Sequence, residues 1–197
     1  MKTSDRFLQR WRIRRASKFI PRGARLLDIG CHQGEIFQIL EPLEIHGIGI
    51  DPLAELTIQS DRFSVVRGWF PGDLPAQEQP FDVITALAVV EHIRAEQISE
   101  FARACASLLV PGGRLILTVP SPRVDQILDV LTALKIADGM SLEQHQGIEP
   151  AQVQKIFQPA GMDLEKHEKF QFGLNNLFVF TNAVSQDHEH SREPHPA

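Results

Sequence analysis

The chain has 197 residues and a mass of 22.1 kDa; 43% of its residues are hydrophobic, 23% are charged, and the formal net charge is −5. This is the length and composition of one globular domain, and no apolar run approaches the ~18 residues of a membrane span. The basic N-terminus lacks the apolar stretch of a secretory signal, two cysteines (Cys31 and Cys105) are too few for a disulfide framework, and the absence of Tyr rules out tyrosine acid–base chemistry; a reducing cytoplasm is the expected location.

Residues 1–22 predict a basic amphipathic helix. Over 6–20, Phe7, Leu8 and Trp11 fall on one face, while Arg6, Arg10, Arg14 and Lys18 recur every four residues on another. The apolar triplet is expected to pack on the body or close over a crevice, with the basic stripe outward. Residues 1–25 hold nine basic side chains against one acid, Asp5, and leave −13 on the remainder. Such asymmetry admits an anionic partner as well as an ordinary solvated face.

Alternating elements follow. An apolar strand over 24–29 runs into the turn 30–34 and a helix over 35–40 that Pro42 stops. A second apolar strand, 45–50, ends at Asp51-Pro52. A short helix over 53–59 leads to a strand at 63–66 and a Gly/Pro-rich loop, 68–80. A buried strand opens the run 81–90. An amphipathic helix is predicted over 95–109, a turn at 111–113, a strand over 114–119, and helices over 124–137 and 150–159. Two strands, 162–172 and 177–181, are joined by only four residues, and residues 183–197 read as a disordered polar tail. Strands separated by helices imply a mostly parallel sheet covered on both faces. The final pair must be antiparallel, because a parallel connection needs a crossover of a dozen or more residues. The expected fold is α/β: a doubly wound, Rossmann-like, mostly parallel seven-stranded sheet ending in an antiparallel β-hairpin.

The first strand and its turn, Asp28-Ile29-Gly30-Cys31-His32-Gln33-Gly34, carry the main chemistry. Gly30 and Gly34 allow a tight turn and close approach of a ligand to the backbone, and the helix that follows aims free N–H groups at it. Asp51 ends the second strand, next to this turn at the crevice of a doubly wound sheet. A carboxylate there can accept both hydroxyls of a ribose, which indicates an adenosine-containing ligand. The spacing is neither G-x-G-x-x-G nor a P-loop.

These residues resemble the class I S-adenosylmethionine-dependent methyltransferases, in the small single-domain group that acts on small molecules or lipids. LLDIGCHQGE (26–35) resembles the family's first motif, GIGIDP (47–52) its second, FDVITALAVVEHI (81–93) its fourth and LLVPGGRLILTVP (108–120) its fifth. The resemblance implies a methyltransferase domain over 23–182 with S-adenosylmethionine as methyl donor. It implies a cofactor site of Asp28, Gly30, Cys31, Gly34, Asp51, Pro52, Gly68, Trp69 and Leu87, with Asp51 as the ribose acid. Two departures stand out. His32 replaces a motif glycine, so its ring must turn away from the methionine part or contact its carboxylate. Trp69 stands where relatives carry the adenine-binding Asp, which leaves backbone groups, Trp69, Phe70 or Asp73 to hold adenine.

A sulfonium methyl is already activated, so the enzyme chiefly aligns the acceptor; a base helps if the acceptor is a hydroxyl or carboxyl. His92, just after the fourth strand, and His145, before the Pro150 helix, are the candidate bases, with Glu91 and Glu149 beside them. A small, partly apolar acceptor methylated on oxygen is expected, with Val124, Ile127, Leu128, Leu131 and Leu134 as an apolar cover. No metal site and no nucleic-acid partner are expected. The basic helix could touch an anionic membrane. A nicotinamide-dependent oxidoreductase and a non-catalytic cofactor-binding or scaffolding protein are the competing readings.

Overall fold

The computed structural model describes residues 3–55, 57–75, 80–121 and 148–183. They form an eight-stranded sheet in the order β3-β4-β2-β1-β5-β6-β8-β7. The strands are β1 (Arg25–Ile29), β2 (His46–Asp51), β3 (Ile58–Gln59), β4 (Phe63–Arg67), β5 (Phe81–Leu87), β6 (Leu109–Pro120), β7 (Met162–Phe170) and β8 (Asn175–Asn182). The helices are α1 (Thr3–Ala16), α2 (Glu35–Ile39), α3 (Ile98–Leu108) and α4 (Pro150–Phe157).

The five strands β4, β2, β1, β5 and β6 run parallel. β8 returns antiparallel against β6, and β7 against β8, so the expected terminal hairpin is present. Its turn, Gln171–Gly173, lies at the same edge of the sheet as the carboxyl ends of the parallel strands, because Pro120 faces Asn175. β1 is flanked by β2 on one side and β5 on the other. The strand order therefore reverses there, and a crevice opens between their carboxyl ends.

Alternation along the strands splits the core between two layers. Leu26, Val83, Ile116 and Val179 face α1 and α2, packing with Ile13, Ala16, Ile36 and Phe37. Leu27, Ile84, Leu115, Leu117 and Phe180 face α3 and α4, packing with Phe101, Ala102, Val153 and Phe157. Phe157 stacks on Phe180 at 5.2 Å between ring centres.

Four expectations change, the first being that the turn expected at 111–113 lies within β6, whose register against β5 shifts there. The sheet has eight strands, because Ile58 and Gln59 pair antiparallel with Val65 and Ser64 at the edge. The helix expected over 53–59 is replaced by a turn and that short strand. The Asp51 carboxylate takes the Leu53 N–H at 2.7 Å and closes a turn there, and β-branched Thr57 and Ile58 favour an extended chain. The face of α1 is also different. Ile13 and Ala16 are the buried residues; of the expected triplet only Trp11, half-buried, packs on this layer, whereas Phe7 is 64% and Leu8 37% exposed. Arg6, Arg10, Arg14 and Lys18 do point outward. The helix expected over 124–137, the apolar cover, His145 and the tail from residue 184 lie outside the described residues.

Candidate functional site

β1 delivers the chain into a turn at Gly30 (φ +75°) and Gly34 (φ +77°). Both positions need glycine by backbone conformation and by packing. A Cβ on Gly30 would stand 2.4 Å from Val89 Cγ2, and one on Gly34 2.9 Å from Val65 Cγ2. The Gly30 N–H donates to the Ile50 carbonyl at 2.8 Å and ties the turn to β2. Gly30 remains solvent-exposed at the crevice, and Gly34 caps α2.

Asp51, 8% exposed at the end of β2, is held by the turn it faces. Its Oδ2 accepts the His32 N–H at 2.8 Å and its Oδ1 the Leu53 N–H at 2.7 Å. One donor on each oxygen fixes the plane of the carboxylate and leaves each oxygen further acceptor capacity. The His32 ring lies 2.8 Å (Nδ1) from Glu35 Oε1, whose other oxygen accepts the Gln33 N–H at 3.1 Å. The bulky motif residue is thus engaged by the first turn of α2. The end of β4 joins on the far side of Asp51, where the Gly68 N–H donates to the Asp51 carbonyl at 3.2 Å. Asp73 folds back beneath this corner, its Oδ2 accepting the Trp69 N–H at 2.8 Å. Pro52 is half-buried; Leu53 and Trp69 are 77% and 72% exposed on either side of the opening.

On the α1 side of the sheet a polar row interrupts the apolar layer. Asp28 and Thr85 are register partners on β1 and β5, and the Thr85 hydroxyl donates to Asp28 Oδ1 at 2.6 Å. Thr118, opposite Leu87 on β6, has a buried hydroxyl with no partner among the described residues. Burial raises the Asp28 carboxyl to about 7; the Thr85 hydrogen bond opposes this, and the charges of Glu35 and Asp51 add to it. α1 roofs the end of the row. Gln9, Arg12 and Ile13 line a cavity of about 30 Å³ with Asp28, Gly30, Cys31 and Leu87. The Cys31 side chain packs into the space that glycine leaves at position 49, since a Cβ there would lie 2.6 Å from Sγ. Burial pushes its thiol far above the usual range, so it is no nucleophile.

The structure therefore brings Asp28, Gly30, Cys31 and Leu87 to one cavity, with Gly34, Asp51 and Pro52 beside it and Gly68 and Trp69 at the next strand end. His92 is exposed on the short turn Val90–His92 that follows β5; Val89, just before that turn, is the residue that touches Gly30. Sequence reasoning missed Gln9, Arg12 and Thr118. One signal for Arg12 was available: it falls off the stripe of Arg6, Arg10, Arg14 and Lys18, next to Ile13 and four residues from Ala16, the side of α1 that is buried.

The residues present fit an adenosyl amino acid. A fixed carboxylate stands where a ribose would lie. Gly30, exposed at the end of β1, lets a ligand approach the backbone there, and a carboxyl and a guanidinium line the inner cavity with charges opposite to an α-amino and an α-carboxylate group. Among the described residues no group of three His, Cys, Asp or Glu side chains is placed to hold a metal.

Comparison with known proteins agrees. A family model described as a methyltransferase domain matches residues 2–172. The ubiquinone biosynthesis O-methyltransferase of Xanthomonas axonopodis pv. citri is 31% identical over 162 residues, 76% of this chain and 67% of that protein. The mitochondrial ubiquinone biosynthesis O-methyltransferase of Rattus norvegicus is 27% identical over 158 residues, 73% of this chain. The chain covers only 45% of that protein's length, so it spans between about half and two thirds of these two relatives. In fold it is similar to a SAM-dependent methyltransferase from Archaeoglobus fulgidus, with a TM-score of 0.65 and 18% identity over 89% of this chain and 94% of the other. The chain belongs to the class I S-adenosylmethionine-dependent methyltransferases.

Proposed function

We propose that this protein binds S-adenosylmethionine at the carboxyl ends of β1 and β2 and transfers its methyl group to an oxygen of a small, partly apolar acceptor. The observation that carries this reading is the Asp51 carboxylate, locked by two backbone N–H groups beside a glycine turn that leaves the backbone open. Asp51 would accept the ribose hydroxyls. Leu53 and Trp69 would flank adenine, with Asp73 supporting the Trp69 backbone, so packing replaces the expected carboxylate contact. Arg12 and Asp28 would hold the carboxylate and amino groups of the methionine part, and α1 would exclude water from it. When bound, the cofactor supplies a methyl on a sulfonium, already poised for transfer. The chain's task is then to align the acceptor with the methyl–sulfur bond and to take the hydroxyl proton. His92 is the candidate base at the rim of the crevice, and His145 is a second candidate in the undescribed segment. The O-methyltransferase relatives support oxygen as the acceptor atom.

The test is turnover of methyl-labelled cofactor with a panel of small phenols and carboxylic acids, with RNA and bulk protein as contrasting acceptors. Label in the small molecules is expected, lost in Asp51→Ala and reduced in His92→Ala. Label only in RNA or protein would overturn the acceptor assignment, and no binding of cofactor by calorimetry would overturn the whole reading.

A further inference from the structure

Of the large apolar side chains exposed among the described residues, Leu53 and Trp69 belong to the crevice; Phe7, Leu8 and Phe172 do not. Phe172 is 94% exposed and, like Gln171 before it, adopts a left-handed backbone (φ +58° and +50°) that non-glycine residues rarely take. This presentation is built in. The buried Gln171 side chain donates to the Leu8 carbonyl at 3.2 Å and accepts a hydrogen bond from Asn175, so it clamps the turn to both α1 and β8. Phe172 meets the edge of Trp11 at 6.0 Å and 87°, and Trp11 meets Phe7 at 5.8 Å and 68°. A continuous aromatic ridge thus crosses from the turn to the helix.

A basic stripe accompanies the ridge. Phe7 and Trp11 line a groove of about 400 Å³ with Arg10, Arg14, Arg15 and Lys18. Arg15 pairs with Glu168 at 2.6 Å, whereas Arg6, Arg10, Arg14 and Lys18 are exposed and enter none of the ion pairs among the described residues. The molecule is polarised as a whole, with +8 on residues 1–25 and −13 on the rest. An anionic plane would attract this face and repel the remainder.

We propose that α1 and the 171–173 turn form a docking face for the anionic surface of a lipid bilayer. Phe7 and Phe172 enter the headgroup region, with the half-buried Trp11 between them at the base of the ridge, and Arg6, Arg10, Arg14 and Lys18 pair with lipid phosphates. Aromatic rings that stand out from a cationic helix suit an interface with one apolar and one charged layer. No helix among the described residues is long and apolar enough to cross a membrane, so the attachment is peripheral. Because α1 also roofs the crevice, docking sets the cofactor cavity beside the bilayer. The inference concerns binding alone and stands independently of the methyl-transfer reading.

The test uses the full chain and phosphatidylcholine vesicles with and without phosphatidylglycerol, at low and high salt. The Trp69→Phe background leaves Trp11 as the single indole. Expected are co-sedimentation with the anionic vesicles only, its loss at high salt, and a blue shift of Trp11 emission on binding. Each cation at the surface raises partitioning about five-fold, so Arg10→Glu/Arg14→Glu lowers it by more than roughly 25-fold. Phe172→Ser retains the charge but weakens binding several-fold and diminishes the blue shift. Free inorganic phosphate should not compete, which separates a bilayer surface from a phosphate site. The proposal is overturned if nothing sediments at low salt, if neutral vesicles bind equally well, or if either the double reversal or Phe172→Ser leaves binding undiminished. It is also overturned if free phosphate abolishes binding, or if duplex DNA is bound while vesicles are not. Cofactor calorimetry on the chain with Trp69 retained, wild type against Arg10→Glu/Arg14→Glu and Phe172→Ser, is expected to show no change, so failure here is distinct from failure of the methyltransferase reading.

Discussion

Asp28 sits under α1 with its carboxyl raised to about 7, chiefly by burial, and with Arg12 lining the same cavity. An acid whose folded pKa lies above its unfolded value holds a proton that the unfolded chain has released. Between about pH 4 and pH 7 its contribution to stability therefore falls as pH rises, by about 4 kcal/mol in total for a shift of this size. A ligand that brings an α-amino cation to Asp28 favours the ionised form. Cofactor binding should then release close to one proton below pH 7, and affinity should rise with pH up to that point. Calorimetry in buffers of different ionisation enthalpy measures this directly. Asp28→Asn should abolish the proton release and flatten the pH dependence; unchanged release in Asp28→Asn would place the titration elsewhere. Asp51→Ala should weaken cofactor binding by about 1.5–3 kcal/mol, the scale of hydrogen bonds to a charged group. Gly30→Val should abolish binding, since the added Cβ meets Val89 at 2.4 Å in a left-handed conformation. Gly30→Val/Val89→Ala removes the clash but not the strain, and partial recovery of binding would separate the two causes. Asp51, Gly30 and Gly34 were legible in sequence because turn chemistry and strand ends carry local signals. Thr118 was not, because only the pairing of β6 beside β5 sets it in the row with Asp28, and Arg12 left no more than its place off the basic stripe until α1 is seen to cover that row.

At the scale of elements, α1 is attached by a narrow set of contacts. Ile13 and Ala16 enter the core layer beside Ile36 and Ile116, Arg15 pairs with Glu168, and the Leu8 carbonyl takes the Gln171 amide. Ile13 is 3% exposed and lines the cofactor cavity as well. Ile13→Ala should cost about 2–4 kcal/mol of stability through the lost transfer energy and the cavity left behind, read as a lower midpoint in denaturant unfolding. Cofactor affinity should fall with it, since the roof of the cavity loosens. A stability loss with affinity unchanged would show that α1 covers the cavity without shaping it. The parallel strands and the terminal hairpin were legible because unbroken apolar runs and a four-residue connection leave few alternatives. The face of α1 was not. Phe7, Leu8 and Trp11 satisfy a helical apolar stripe as well as Ile13 and Ala16 do, and only the position of α2 and of the 171–173 turn decides that Ile13 and Ala16 are buried, Trp11 half-buried and Phe7 and Leu8 exposed. The two-residue β3 carries no periodicity at all; its pairing is imposed by β4 and by the turn that Asp51 closes.

For the whole molecule, the crevice lies where the strand order reverses, with one core layer under α1 and α2 and the other under α3 and α4. A ligand there touches β1, β2, β5 and α1 together, so binding should stabilise the molecule globally. At a cofactor concentration 100-fold above the dissociation constant the gain is about 2.7 kcal/mol by mass action. For a chain of this length each kcal/mol moves the melting midpoint by about 2–4 °C, so S-adenosylmethionine or its homocysteine product should raise it by roughly 5–10 °C, and NAD should not. Hydrogen exchange adds the spatial test. Amides of the turn at 30–34, of Leu53 and of α1 should slow together on binding, because Asp51 links the first two and the Asp28 cavity links the turn to α1. A midpoint unmoved by either sulfur ligand would remove the cofactor assignment. A shift without protection in α1 would retain the assignment and confine the ligand to the ends of β1 and β2.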